Sequence, residues 1–348
     1  MERIMARSPF FVSAFGTGLQ SATAYIWIWK GDYASKPSQK TYSITKTPLK
    51  SGEDLVKFEI SQIIRDYFEH ERDAYTVNST TFADAIWVEV GISQLDDAGL
   101  HPFTYSTYIA LDGYGYFEQG ANPEYVNADY TMRVPDGADI RIPVQVDADN
   151  ANVVEYYSAT TGLLLFTDSV PETSVCQQRL AYLTRAQPAE RVGTILVRNG
   201  LSILYTITVI NEINECRHHE IKYYDKDGAL RIMYAYGRAK KSTNISSNEY
   251  RSDITGLTYI NYTYDVKSHQ KKRYNISAQD SVILNTGFIR DYEQENVRQL
   301  LLSEYVWLDD VPVMVSQTGL DYKDNRFDKL IDISLKFTVS NQVINDVY

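Results

Sequence analysis

Cysteine is nearly absent from this 348-residue chain. It has two, Cys176 and Cys216, with no CxxC spacing and no Cys/His arrangement of the zinc type. That scarcity excludes a disulfide-dense scaffold and the common zinc modules. It leaves either one disulfide or, the favoured reading, two buried thiols. Histidine is equally thin: His70, His101, His218, His219 and His269 are scattered along the chain, and no triad can be assembled from their spacing. There is no GxSxG elbow, no GxxxxGK[ST] phosphate loop and no HExxH, so the commonest hydrolase, nucleotide-binding and metalloprotease signatures are missing. Long hydrophobic runs are missing too. "GLLLF" and "LSILYTITVI" fall well short of the roughly 20 residues a membrane helix needs, so no membrane span is expected. The interrupted start "MERIMARSPFFVSAFGTG" does not read as a signal peptide.

Positive charge is absent from one region in particular. Residues 73–170 hold only Arg133 and Arg141 against 15 acids, within a chain whose net charge is −11. Residues 1–170 carry 12 basic and 23 acidic side chains, a net of −11, while 171–348 carry 22 of each. The acidic block cannot bind a phosphate backbone by counterion release.

What is abundant is tyrosine, with 28 copies, inside a composition of 44% hydrophobic and 23% charged residues typical of globular proteins. Tyr favours strands and protein–protein surfaces. The length predicts two or three domains. Alternation in "TAYIWIWKG", "KTYSITK" and "DLVKFEI" predicts strands, and "SQIIRDYFEHE" switches to helical spacing with Ser61 as N-cap. Further on, "TILVRNGLSILYTI" predicts a type I′ hairpin turn at Asn199-Gly200, and "HEIKYYDKDGALRIMYAYG" a second turn at Asp227-Gly228. In "DYEQENVRQLLLSE" a helix is expected with Asp291 as N-cap and Gln294 closing a capping box, its buried face formed by Val297, Leu300 and Leu301.

The predicted fold is mainly β: two or more antiparallel β-sandwich domains with a few short helices. The expected division is 1–72, an N-terminal β-sandwich portion with a short helix; 73–170, an acidic β-rich module or insertion; 171–190, a linker or short helix; and 191–348, a C-terminal β-sandwich domain with one helix. The tetrapeptide "IRDY" occurs at 64–67 and at 289–292. Each copy follows a predicted strand near a helix start, which suggests duplicated architecture with Ile64 and Ile289 in the core and Arg65 and Arg290 at the surface or an interface.

Candidate chemistry is sparse. "ECRHHE" offers Glu215, Cys216, His218, His219 and Glu220, but on a strand His218 and Glu220 share one face while His219 points to the other, so no metal site is expected. "DKDG" at 225–228 lacks the downstream ligands of a calcium loop. Glu89 and Glu118 are the carboxylates a glycosidase would need, yet nothing in their spacing brings them together. Neither catalytic nor cofactor-binding residues are therefore assigned. The basic stretch "KSHQKKRY", with Lys267, Lys271, Lys272 and Arg273, is the candidate subunit interface, complementary in charge to 73–170 of another copy.

Taken together, "IKYYDKDGALRIMYAYGRAKKSTNISSNEYR" and "SVILNTGFIRDYEQENVRQLLLSEYVWLDDVPVMVSQTGLDYKDNRFDKLIDISLKFTVSN" resemble the closing domain of virion structural proteins from tailed phages of Bacteroidetes-type hosts, including the crAss-like phages. The opening "SPFFVSAFGTGLQSATAYIWIWKG" is similar to the start of the same class. The resemblance covers roughly 1–70 and 210–348 and leaves 73–170 unmatched. It implies a non-enzymatic tail, neck or baseplate component in the virion, made in the host cytoplasm. Its partners would be copies of itself in a ring and other tail, neck or portal-proximal proteins. The acidic block would then be either an outer decoration or the lining of a channel in passive contact with DNA, without specific nucleic-acid binding. The competing expectation is a receptor- or carbohydrate-binding tail adhesin whose stacking surface is Tyr114, Tyr116 and Phe117.

Overall fold

The computed structural model describes residues 2–49, 54–70, 72–76, 80–82, 86–101, 103–123, 128–145, 152–170, 180–212, 218–258, 261–264, 266–317 and 331–341. Cys176, Glu215 and Cys216 lie outside these residues. The protein is mainly β, with several antiparallel sheets and only a few short helices.

Three cores organise it. In the first, a sheet runs in the order Glu2–Met5, Thr104–Leu111, Ile86–Asp96, Ser21–Lys30, Tyr42–Lys46, with Gly99–Leu100 hairpinned onto Ile86–Asp96. Glu2–Met5 joins it parallel to Tyr108–Leu111, and the other pairings are antiparallel. Period-2 patterning drives this: Ala22, Ala24, Ile26 and Ile28 of one strand and Val88 and Val90 of its neighbour point inward. Facing them is a two-stranded sheet, Phe11–Phe15 with Leu55–Glu59, which contributes Val12, Ala14, Val56 and Phe58 to the same core. Helix Ser61–Arg65 closes one end through Ile64.

The second core lies between the sheet Tyr130–Pro135, Ser202–Glu212, Val192–Asn199, Asn152–Ser158, Leu164–Val170 and the smaller sheet Ile140–Gln145, Leu180–Arg185, Thr80–Phe82. The third is a single seven-stranded sheet ordered Leu230–Ala235, His219–Tyr224, Val306–Leu308, Val311–Val315, Ile331–Val339, Lys271–Ile289, Lys240–Arg251. It curls until Gly237 N–H donates to Asn285 O at 3.0 Å, and a Cβ at Gly237 would sit 2.4 Å from Asn285 Cβ. Helix Gln294–Leu302 plugs the curl with Val297 and Leu300.

Strand pairing redraws the expected boundaries. The acidic stretch 73–170 is not one unit: Ile86–Asp96 and Thr104–Leu111 complete the first sheet, and Tyr130–Pro135, Ile140–Gln145, Asn152–Ser158 and Leu164–Val170 belong to the second core. The expected linker contains a strand, Leu180–Arg185, because Ala181 and Leu183 bury in the second core while Tyr182 buries on the opposite face. Its Leu and Ala suit a helix, and two-sided burial overrides that propensity. Val192–Glu212 also belongs to the second core, and the third unit, described from His218, is one curled sheet rather than two facing ones.

Local corrections follow the same logic. Asn199 pairs with Ser202, so the hairpin turn is Gly200-Leu201. Gly200 has φ +58° and Leu201 is not in the positive-φ region, the type II′ pattern rather than type I′. Ser61 lies inside its helix, which Ile60 precedes. At the second helix a 3-10 turn, Asp291–Glu293, comes first, and Glu293 accepts from Arg290 N–H at 2.8 Å, one residue earlier than the expected box. Both Ile64 and Ile289 are core. The "IRDY" copies are nonetheless inequivalent, since the first ends its helix and the second precedes one.

These pairings make a fragment test. A fragment ending at residue 72 leaves Ser21–Lys30 without Ile86–Asp96, whereas one ending at 123 retains the whole first core. We expect a cooperative thermal transition by circular dichroism for 1–123 and none for 1–72; a cooperative 1–72 contradicts the reassigned boundary.

Candidate functional site

Two features of the third unit carry the remaining chemistry: a joint built on hairpin His219–Ala235, and a projecting arm. At the joint the turn 225–229 is shaped by Asp225, which is fully buried. Asp225 Oδ1 accepts the N–H groups of Asp227 (2.9 Å) and Ala229 (2.8 Å), and Oδ2 meets the Arg231 guanidinium. Gly228, at φ +77°, lets this turn lie against residues 112–115 of the first unit. A Cβ on Gly228 would fall 2.8 Å from Asp112 N, and one on Gly113 would fall 2.6 Å from Lys226 O. Tyr114 N–H donates to Lys226 O at 2.7 Å. The glycines are therefore required by backbone-to-backbone contact.

Side chains extend this seam. Tyr116 OH donates to Glu295, and Arg298 lies 4.0 Å from the centre of the Tyr116 ring. Arg7 donates to Leu302 O at 2.9 Å and Arg65 pairs with Glu304. His70 pairs with Asp112 at 2.7 Å and stacks on Tyr305 at 3.7 Å between ring centres. The second unit docks on the same hairpin. Arg231 lies 3.9 Å from the centre of the Tyr130 ring, and Leu230 N–H donates to Tyr182 OH at 3.2 Å. Arg133 bridges Glu212 and Glu293, and Arg141 meets both oxygens of Glu220 at 3.1 Å. Burial keeps the surrounding phenols neutral, pushing Tyr130 up to about 12 and Tyr75 well above its ordinary value.

This joint absorbs most of the residues singled out for chemistry. Tyr114 and Tyr116 are packed in the seam, so of the expected stacking surface only Phe117 is exposed, at 97%. "DKDG" is the hairpin turn, as expected. His218 packs against Tyr234, His219 pairs with Asp309 and Glu220 with Arg141, so these three do not converge on one point. Among the described residues no group of three or more His, Cys, Asp or Glu is placed to hold a metal ion. Glu89 is buried and paired with Lys36, while Glu118 sits on the exposed turn Phe117–Gln119. Sequence reasoning missed the buried pair Asp225–Arg231. Its signal is the spacing across a D-x-D-G hairpin, which puts the first Asp beside the residue three past the closing glycine.

The basic residues sit on the arm. Strand Lys271–Ile289 pairs with Ile331–Val339 only from Ser281 onward, and with Lys240–Arg251 along the rest. Asn244–Arg251 and Lys271–Gln279 therefore form a two-stranded ribbon reaching roughly 25 Å beyond the sheet at ~3.3 Å per residue. Lys271, Lys272 and Arg273 are exposed on it. Arg273 Nε donates to Ser247 Oγ at 2.8 Å and Lys271 lies 3.9 Å from Glu249. Lys267 is in the turn that leads into it. Residues 238–273 hold eight basic and three acidic side chains, net +5, leaving −16 on the other 312 of the chain. No described helix is long and apolar enough to cross a membrane. Neither a protein-family model nor a curated protein matches the chain.

Arg231→Ala strands the buried Asp225 carboxylate and is expected to cost about 3–5 kcal/mol in urea unfolding; a loss below 1 kcal/mol on that scale removes the pair from its central place. Asp227 is pushed up to about 6 by burial and then by the Asp225 charge. The folded chain therefore holds that proton more tightly than the unfolded chain. Its contribution is fully present below about pH 4 and is lost as pH rises through about 6. Asp227→Asn should flatten this fall and raise stability above pH 7 by on the order of 1–3 kcal/mol; an unchanged pH profile contradicts it.

Proposed function

We propose that the chain is a non-enzymatic structural component of a tailed phage virion, a tail or neck protein that assembles with copies of itself into a ring. The observation that carries this reading is the cationic arm on an acidic body: one chain bears both halves of a complementary contact, as a heterologous, ring-closing interface requires. Residues 244–254 and 266–276 are exposed apart from three partly covered positions, Ser247, Ser252 and Ile254. A two-stranded ribbon without a core is marginal by itself, so a partner that covers it would stabilise it.

The joint supports the same reading from another side. A virion component has to keep its shape under load, and the three units are fastened by buried ion pairs and backbone contact at one hairpin. Six of the 28 tyrosines, Tyr75, Tyr114, Tyr116, Tyr130, Tyr182 and Tyr305, make contacts within these seams. Lys267, Lys271, Lys272 and Arg273 remain the proposed subunit contact, with neighbouring tail, neck or portal-proximal proteins as further partners.

Reversing Lys271, Lys272 and Arg273 to Glu should weaken self-association at least tenfold by mass photometry. In the unmodified protein, raising salt from roughly 0.05 to 0.5 M should act in the same direction because screening shortens the reach of exposed charge. Rings or oligomers that persist unchanged after reversal would sink this assignment of the contact.

A further inference from the structure

The first core is an incomplete sandwich. Among the described residues its larger sheet is faced by two strands, and beside Phe11–Phe15 lies an open groove of about 600 Å³ whose floor includes Val90, Ile92, Thr104, Ser106 and Tyr108. That volume is in the range that accommodates a bound segment. Among the described residues the strand bordering it is paired on one edge only, and its other edge has a defined polarity. Ile60 N–H donates to Phe10 O and Gly16 N–H to Asp54 O, so residues 10, 12, 14 and 16 face the partner strand. In antiparallel pairing the N–H and C=O groups of 11, 13 and 15 then point the other way, into the groove. The Asn122 side chain already meets the first of these positions, accepting from Phe11 N–H at 2.6 Å and donating to Phe11 O at 2.9 Å. The positions at Ser13 and Phe15 continue the row, with Phe15 69% exposed. An open apolar edge of this kind is what strand addition uses.

The groove contains Glu2 and neither Lys nor Arg, and Asp54 and Asp97 stand beside its far end near Gly18. A strand that fits must therefore be extended, cationic and partly apolar. The arm supplies one. Residues 271–277 carry Lys271, Lys272 and Arg273 with exposed Tyr274 and Ile276; 271–274 are extended and a bulge follows at Asn275, φ +48°, and among the described residues the outer edge has no strand partner before Ser281.

We propose that the groove-facing edge of Phe11–Phe15 takes up the arm strand Lys271–Ser277 of a second copy of this chain as a third strand, covering the groove. This rests on the reading of the protein as self-assembling and specifies how one copy holds the next. It makes the contact heterologous, with donor and acceptor on different units of each chain.

The test uses the full chain. Ser13→Pro removes one groove-facing N–H without touching the intrachain ladder, and Phe15→Lys, at an exposed position, sets a like charge against the arm's cations at the same edge. A third variant replaces 244–277 by an Asn-Gly turn. Circular dichroism melts check that each variant folds, and sedimentation velocity reads association. We expect every variant alone to associate roughly tenfold or more weakly than the unmodified chain. The arm-shortened and Ser13→Pro proteins mixed together should give a one-to-one dimer and nothing larger, since one donor and one acceptor survive. Folded edge variants that assemble like the unmodified chain overturn the pairing while the assembly reading stands. An unmodified chain that stays monomeric at millimolar concentration overturns both; if it then binds a single-stranded oligonucleotide only with the arm intact, the arm is a nucleic-acid contact instead.

Discussion

Everything in this molecule leans on one buried ion pair. Asp225 is wholly out of solvent and Arg231 nearly so, and removing two such charges from water costs several kcal/mol each. The cost is offset by two backbone N–H groups that donate to Oδ1 and by the guanidinium charge beside Oδ2. The other face of that guanidinium covers the Tyr130 ring. The pair thus fixes the turn that touches the first unit and the side chain that touches the second. An apolar replacement could fill the space, but it could not specify the turn and the docking together.

The same accounting changes the meaning of the acidic stretch. Counted along the chain, 73–170 is a block of negative charge. In the folded protein Glu89 meets Lys36, Asp96 His101, Asp112 His70, Asp136 Arg191, Glu155 Arg198 and Asp168 Arg185. All these partners come from outside the acidic stretch except His101. Of the block's 15 acids, Glu89, Asp136, Glu155 and Asp168 thus meet a Lys or Arg of the chain itself, so part of its charge is neutralised internally. Arm and body remain opposed because the arm's cations lie on a ribbon with few acids beside it.

Strands and hairpins were legible because alternation and turn residues are local. Ser21–Lys30, Ser202–Glu212 and the Asp227-Gly228 turn could be read directly. Partners were not legible, since period-2 patterning identifies a strand but not its neighbour: nothing in Ile86–Asp96 announces Ser21–Lys30. Leu180–Arg185 was hidden by helix-forming residues, and the two "IRDY" words by a similarity of context that the topology does not honour. The basic arm was visible as composition, but its projection depends on where Ile331–Val339 stops pairing. The joint was invisible for a different reason. It is made where "GYGYF" and "DKDG" meet, and two glycine-bearing turns carry no sign of each other until the fold sets their backbones in contact.

Strand Lys271–Ile289 runs for 19 residues from the exposed ribbon into the core, with bulges near Asn275 and Gly287. Its last residue precedes the Asp291–Glu293 turn, whose Glu293 is gripped by Arg133 of the second unit, and the following helix reaches the first unit through Glu295. Mechanically the arm is a lever rather than a flap. A pull on its tip loads the ladder to Ile331–Val339 in shear, where many hydrogen bonds resist at once, and the force arrives at the hairpin that both other units share.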